Sequence, residues 1–128
     1  MIVLDTHAWI WWVSAPDALS RPARRGIEAA RYIGVPAICC MEVATLVSRG
    51  RIELDRPTLR WLEDALDEPH IDLLPLTPAV AAVAADLGPG FPGDPADRLI
   101  AATALLQSAT LVTKDQRIRS CERVRTLW

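Results

Sequence analysis

Short uninterrupted apolar runs alternate along this chain with longer stretches whose apolar residues recur at helical spacing. Ile2-Val3-Leu4 has no polar alternation and ends at a carboxylate, which predicts a strand buried on both faces, as in a parallel sheet. Thr6 to Val13 is apolar with no turn former until Ser14-Ala15-Pro16-Asp17 and predicts a short helix. Ser20-Arg21-Pro22 reads as a cap with proline in the first turn, opening a helix over Ala23 to Arg31 that Gly34 ends. Val35-Pro36-Ala37-Ile38 is then a second strand. Met41 to Val47 predicts an apolar helix opened by Glu42 and stopped by Gly50. Asp55 caps the next one, with Pro57 in its first turn, Leu59, Leu62 and Leu66 on its apolar stripe, and Arg60, Glu63, Asp64 and Asp67 on a wet face.

Ile71 to Leu74 predicts a third strand, and Thr77-Pro78 caps an alanine-rich helix reaching Leu87. The Gly88 to Gly93 loop cannot continue a helix. It delivers the chain to Asp94-Pro95-Ala96-Asp97, where Asp94 is the cap, Pro95 the first helical residue and Asp97 the third, before an apolar run from Leu99 to Leu106. A helix without a polar face is buried. Thr110-Leu111-Val112 is a fourth strand, a polar turn or short helix follows, and Val124 to Leu127 adds a fifth strand at an edge. Strands alternating with helices throughout predict an α/β fold with a mainly parallel sheet and right-handed crossovers.

Composition narrows this picture. At 128 residues, 51% hydrophobic and 23% charged, the chain reads as one globular domain over residues 1–128, with no repeat or linker. A net charge of -2 excludes a generally basic nucleic-acid binder, although Lys114, Arg117, Arg119, Arg123 and Arg125 crowd one end of the sequence. Cys39, Cys40 and Cys121 form neither a zinc pattern nor an even disulfide set, which suits a reducing cytoplasmic setting. The first apolar run is broken by Asp5 and His7, against a signal peptide or a membrane span.

The chemistry lies in the acids. In open α/β sheets it gathers at the carboxyl ends of the strands. Asp5 and Asp115 each follow a strand, while Glu42 and Asp97 start helices at that same edge. Separately, Asp94 is explained as a cap, Asp97 by the helix dipole, Glu42 by a helix start and Asp115 by a turn. Asp5, directly after a buried strand, needs a partner, a metal or a raised pKa. Several carboxylates with no cysteine or histidine cluster suit a hard divalent cation such as Mg²⁺ or Mn²⁺.

Ile2-Val3-Leu4-Asp5-Thr6-His7-Ala8, Glu42-Val43-Ala44 with Gly50-Arg51-Ile52, Asp94-Pro95-Ala96-Asp97-Arg98-Leu99-Ile100-Ala101-Ala102 and Leu111-Val112-Thr113-Lys114-Asp115 together resemble, in order and over nearly the whole chain, a PIN-domain protein of the VapC toxin type. The resemblance implies a three-layer α/β fold with a five-stranded parallel sheet and an endoribonuclease site needing Mg²⁺ or Mn²⁺. By position Asp5, Glu42, Asp97 and Asp115 match the family's catalytic and metal-binding acids, Asp94 is auxiliary, and Thr6 and Thr113 border the site. It further implies an RNA substrate, a tRNA or another structured RNA among the candidates, a homodimer, and a VapB-type antitoxin whose C-terminal segment blocks the acidic site. Family members often carry serine shortly before the Glu42 position, where this chain has Cys39-Cys40-Met41.

Lys114, Arg117 and Arg119 are the candidate RNA-binding residues, with Arg123 and Arg125 extending the track or forming a solvated face. His7 reads as a hydrogen-bonded structural residue. Trp9, Trp11 and Trp12 cannot all face inward from one helix, so at least one is exposed and marks an interface. A haloacid-dehalogenase-type phosphatase would need an aspartate where His7 stands, and a receiver domain would need one where the third strand ends in Leu74-Pro75-Leu76. A PIN-fold housekeeping nuclease and a non-catalytic PIN-fold interaction module are the remaining alternatives.

Overall fold

The computed structural model describes residues 1–128. Five strands, β1 (Ile2–Leu4), β2 (Ile33–Pro36), β3 (Ile71–Leu74), β4 (Thr110–Val112) and β5 (Thr126–Leu127), form one parallel sheet in the order β3-β2-β1-β4-β5. Seven helices connect them: α1 (Thr6–Ser14), α2 (Arg21–Ala29), α3 (Ile38–Ser48), α4 (Thr58–Leu66), α5 (Pro78–Ala85), α6 (Pro95–Leu106) and α7 (Gln116–Arg119). The α/β fold with a five-stranded parallel sheet is therefore as the sequence predicts.

The chain steps outward from β1 to β3, then crosses back to place β4 on the other side of β1. With right-handed crossovers, this reversal puts the connecting helices on opposite faces of the sheet. It also opens a crevice beyond the carboxyl ends of β1 and β4, the adjacent strands where the order reverses. All three residues of β1 are buried, as befits the central strand. Around it lie Trp9, Ile27, Ile100, Leu111 and Ile118, and a smaller cluster of Val80, Ala84 and Ala102 joins α5 to α6.

Local signals set most boundaries. The side chains of Ser20, Thr77 and Asp94 accept the N–H groups of Ala23, Val80 and Asp97, capping α2, α5 and α6. At the end of α3, Gly50 has φ +67°, its N–H reaches the Val47 carbonyl, and the Arg51 N–H reaches Leu46. That is a Schellman motif, with glycine at the left-handed position.

Several boundaries differ from the sequence reading. Helix α2 ends at Ala29, and Gly34 does not stop it but lies inside β2, which begins at Ile33 and finishes at Pro36. A Cβ on Gly34 would sit 2.6 Å from Leu74 Cδ1 and 3.2 Å from Met1 Sδ, the far ends of two flexible side chains that must shift to admit it. Gly34→Ala is expected to cost about 1 kcal/mol, at the low end for overpacking because these chain ends can move, read from chemical denaturation. Helix α3 starts at Ile38 from Ala37, which supplies no side-chain cap, so Glu42 falls in its second turn. Asp55 does not cap α4; it pairs with Arg56, and Pro57 holds the cap position. The buried stripe of α4 runs through Trp61 and Ala65, with Leu62 and Leu66 beside it and Leu59 exposed. Strand β5 contains only Thr126 and Leu127.

Candidate active site

Four carboxylates reach one cleft of about 470 Å³ at the carboxyl edge of the sheet. Asp5 leaves the end of β1, Glu42 comes from α3, Asp97 from the first turn of α6, and Asp115 from just past β4. Thr6, His7, Trp11, Lys114 and Arg117 complete the polar and aromatic walls. A larger groove of about 670 Å³ lies elsewhere, between α1, α2, α4 and the starts of β2 and β3, and holds none of these acids.

Each acid is positioned by its backbone setting. Asp5 is the N-cap of α1, where one oxygen accepts the Ala8 N–H at 2.9 Å, and it lines the cleft. Burial pushes its carboxyl above the ordinary value, with a smaller push from Glu42, while the Thr113 hydroxyl, the Ala8 N–H and His7 pull the other way. Glu42 is held by the buried Thr6, whose hydroxyl donates to Oε1 at 2.5 Å. Thr113 is fully buried, and its hydroxyl also accepts the Asp115 N–H at 3.1 Å.

Asp97 is also pushed upward. Burial, and then the charges of Asp94, Asp115 and Glu42, push it up to about 6 against the opposing pull of Arg117. Asp94 itself is exposed and outside the cleft, where its Oδ1 accepts the Asp97 N–H at 3.1 Å, so it acts as cap and charged neighbour. Asp115 behaves oppositely: the Arg117 side chain, bonding to both its oxygens, holds it below the usual carboxylate range.

The basic residues divide. Lys114 and Arg117 line the cleft, and one Arg117 nitrogen lies 2.8 Å from Asp115 and 3.4 Å from Asp97. Arg119 is exposed on α7 beside Gln116. Arg123 and Arg125 are exposed, and their guanidiniums donate to the carbonyls of Asp86 and Ser108. His7 packs its ring 5.5 Å from Trp11 in place of the hydrogen-bonded setting expected of it. The three tryptophans of α1 do not all face inward, but none is fully exposed: Trp9 enters the core, while Trp11 at the acidic cleft and Trp12 at the larger groove are partly buried.

Arg98 is the functional-site neighbour that sequence reasoning missed. Its guanidinium donates to four carbonyls, those of Ala84, Gly88, Phe91 and Pro92, and lies over the Phe91 ring. The loop before α6 is thereby fastened to the residue that follows Asp97. Arginine next to a Gly- and Pro-rich loop, with five N–H donors to place, is the signal available in the sequence.

No three of these acids, histidines or cysteines already enclose a single point as a closed metal cage would. A Mg²⁺-type site does not require one, since it combines one or two carboxylates with water and substrate oxygens. Oxygen donors from four segments, and an aspartate raised to about 6 by burial and then by its acidic neighbours, fit a divalent cation that would replace protons and relieve repulsion.

The family model described as "PIN domain" matches residues 2–124. Ribonuclease VapC22 of Mycobacterium tuberculosis (strain ATCC 25618 / H37Rv) is 44% identical over 129 aligned positions, covering 99% of this chain and 98% of that protein. Among solved structures, VapBC2 from Rickettsia felis, bound to a DNA fragment from its promoter, superposes with a TM-score of 0.72 at 18% identity, covering 98% of this chain and 97% of that one. FitAcB from Neisseria gonorrhoeae gives 0.67 at 23% identity, with 98% and 96% covered. At these identities the structural likeness speaks for the fold.

Proposed function

This chain belongs to the PIN-domain family, and on that premise we propose that it is a Mg²⁺- or Mn²⁺-dependent endoribonuclease toxin, held in check by a cognate VapB-type antitoxin. The observation that carries the reading is the convergence of Asp5, Glu42, Asp97 and Asp115 on one cleft, in a chain 44% identical to a ribonuclease throughout its length. A homodimer acting on RNA in the cytoplasm belongs to the same proposal. No helix is long and apolar enough to cross a membrane.

Asp5 and Asp97 would hold the cation, with Asp115 beside them and Glu42 at the margin. When bound, such an ion lowers the pKa of water and offsets phosphate charge. Glu42, fixed through Oε1 by Thr6, keeps Oε2 to orient the attacking water and accept its proton. Thr113 steadies Asp5 and the turn carrying Asp115. Lys114 and Arg117 receive the phosphate backbone, and Arg119 extends their reach. Arg117 is exposed, and exposed ion pairs are worth about 0–1 kcal/mol, so its guanidinium can leave Asp97 and Asp115 for a phosphate at small cost.

Thr6→Val keeps shape and removes the donor to Glu42. Cleavage is expected to slow about 10–100-fold with the fold retained, the usual scale for losing a group that orients a site residue. An unchanged rate would remove Thr6 from the mechanism.

The deciding experiment is incubation of total RNA with the wild-type protein and Asp5→Asn, in Mn²⁺ and in chelator. Cleavage by the wild type alone, and only with the ion, is the expected result. Intact RNA with the wild type in Mn²⁺ would reject the nuclease reading in favour of an interaction module.

A further inference from the structure

The acidic cleft has a tryptophan, Trp11, in its lining, and phosphodiester hydrolysis by itself has no use for it. The His7 ring lies 5.5 Å from it, tilted 45°, and the Trp128 ring 5.7 Å from it, tilted 54°. Lys114 sets its ammonium 5.9 Å from the Trp11 ring centre and 6.0 Å from that of Trp128. The parallel sheet explains the meeting: α1 starts from the end of β1, Lys114 follows β4 and Trp128 follows β5, so all arrive at one edge.

Core packing does not account for the group. Trp11 and Trp128 are only partly buried against the core, and His7 and Lys114 are exposed. The contrast is Trp9, on the same helix, which has no exposed surface. A partly wet indole flanked by a second aromatic ring and an ammonium, beside carboxylates suited to a cation, presents a flat π surface next to the place for a phosphate. A nucleotide chain carries a flat base beside every phosphate, and RNA-binding proteins commonly stack such unpaired bases on aromatic side chains.

We propose that Trp11, flanked by His7 and backed by Trp128, is a nucleobase-stacking platform that receives one unpaired base of single-stranded RNA next to the scissile phosphate, with Lys114 holding the adjoining phosphate. The proposal rests on the ribonuclease reading above and adds a substrate requirement: at least one base beside the cut must be free of a helix. Stacking tolerates any base, so the platform demands an unpaired nucleotide and not a particular sequence.

The test uses an RNA oligonucleotide that the wild type cleaves, bound to the protein carrying Asp97→Asn so that affinity is measured without turnover. Removing the base at one nucleotide flanking the cut is expected to weaken binding about tenfold, the scale of one base on one aromatic side chain. Trp11→Leu, which keeps apolar bulk without a π face, should weaken the intact oligonucleotide equally and add nothing to the abasic one, while Trp11→Phe stays within about twofold. Wild-type affinity in Trp11→Leu, or an abasic penalty that persists in it, would overturn the platform. Should Trp11→Leu fail to fold, 2-aminopurine at the flanking position is read with the native tryptophan in place: quenching on binding supports stacking, and unquenched emission overturns it. Cleavage by the wild type with no such base dependence would sink the platform alone, whereas a wild type that cuts no RNA would sink both readings.

Discussion

Asp97→Asn is expected to abolish RNA cleavage, with a fall in rate of at least about a hundredfold, while raising the thermal midpoint of the metal-free protein at pH 7.5. Both follow from one carboxylate. It is a proposed ligand of the catalytic ion, an interaction worth several kcal/mol in the transition state. It is also an acid pushed up to about 6 in the folded protein, first by burial and then by Asp94, Asp115 and Glu42. Between the ordinary carboxylate value of 3.8 and about 6, the folded state binds more protons than the unfolded one. Stability therefore falls as pH rises through that window, and the full penalty stands above it. Asp5, also raised, adds in the same direction. Asparagine removes the penalty, so the stability gain should vanish near pH 4. Mn²⁺ should raise the midpoint of the wild type at pH 7.5 but act weakly on Asp97→Asn. Thermal melts at the two pH values, with and without Mn²⁺, check this; a destabilised Asp97→Asn protein at pH 7.5 would contradict the repulsion argument.

The second large effect is structural. Trp9 has no exposed surface and meets Trp61 edge-on, with ring centres 5.3 Å apart. Trp9→Ala is expected to cost about 3–5 kcal/mol from lost burial and the cavity left behind. Against a typical total of about 5–15 kcal/mol, this takes much of the stability of the fold. Trp9→Phe should cost far less, because the edge contact can survive and the indole Nε1, buried without a hydrogen-bond partner, is removed. Urea denaturation of the two variants decides it: equal losses would contradict the packing account, because phenylalanine keeps most of the ring volume and alanine does not, and a loss under about 1 kcal/mol in Trp9→Ala would refute it outright. Since the Trp9 N–H bonds to the Asp5 carbonyl in the first turn of α1, disorder there would reach Asp5 and Thr6 as well.

What could be read in the sequence follows the range of the forces involved. Ser20, Thr77 and Asp94 were legible as caps because each side chain satisfies a backbone N–H three residues on, a contact contained in the sequence itself. The start of α3 is not legible, since Ala37 offers no side-chain cap, and Glu42 therefore lies one turn further into the helix than the sequence predicts. Leu59 and Trp61 show a second limit: helical periodicity defines a stripe, but which stripe of α4 turns inward depends on Trp9 waiting in the core. In the cleft, strand ends and a helix start place Asp5, Asp97 and Asp115 together, and Glu42 joins them from the second turn of α3. The spacing of the C-terminal arginines carried no such information, because Arg117 turns back onto Asp97 and Asp115 while Arg123 and Arg125 find distant carbonyls.

Arg98 bears on where this protein can be lengthened. By composition, Gly88 to Gly93 is the obvious place to insert a tag or a foreign peptide, being rich in glycine and proline and close to the surface. Four of the carbonyls in and beside that loop are nevertheless held by one guanidinium, whose own residue adjoins Asp97. An insertion would break the bracket and shift the acid. The turn at Gly50, closed by its own backbone and open to solvent, is the better site for a graft.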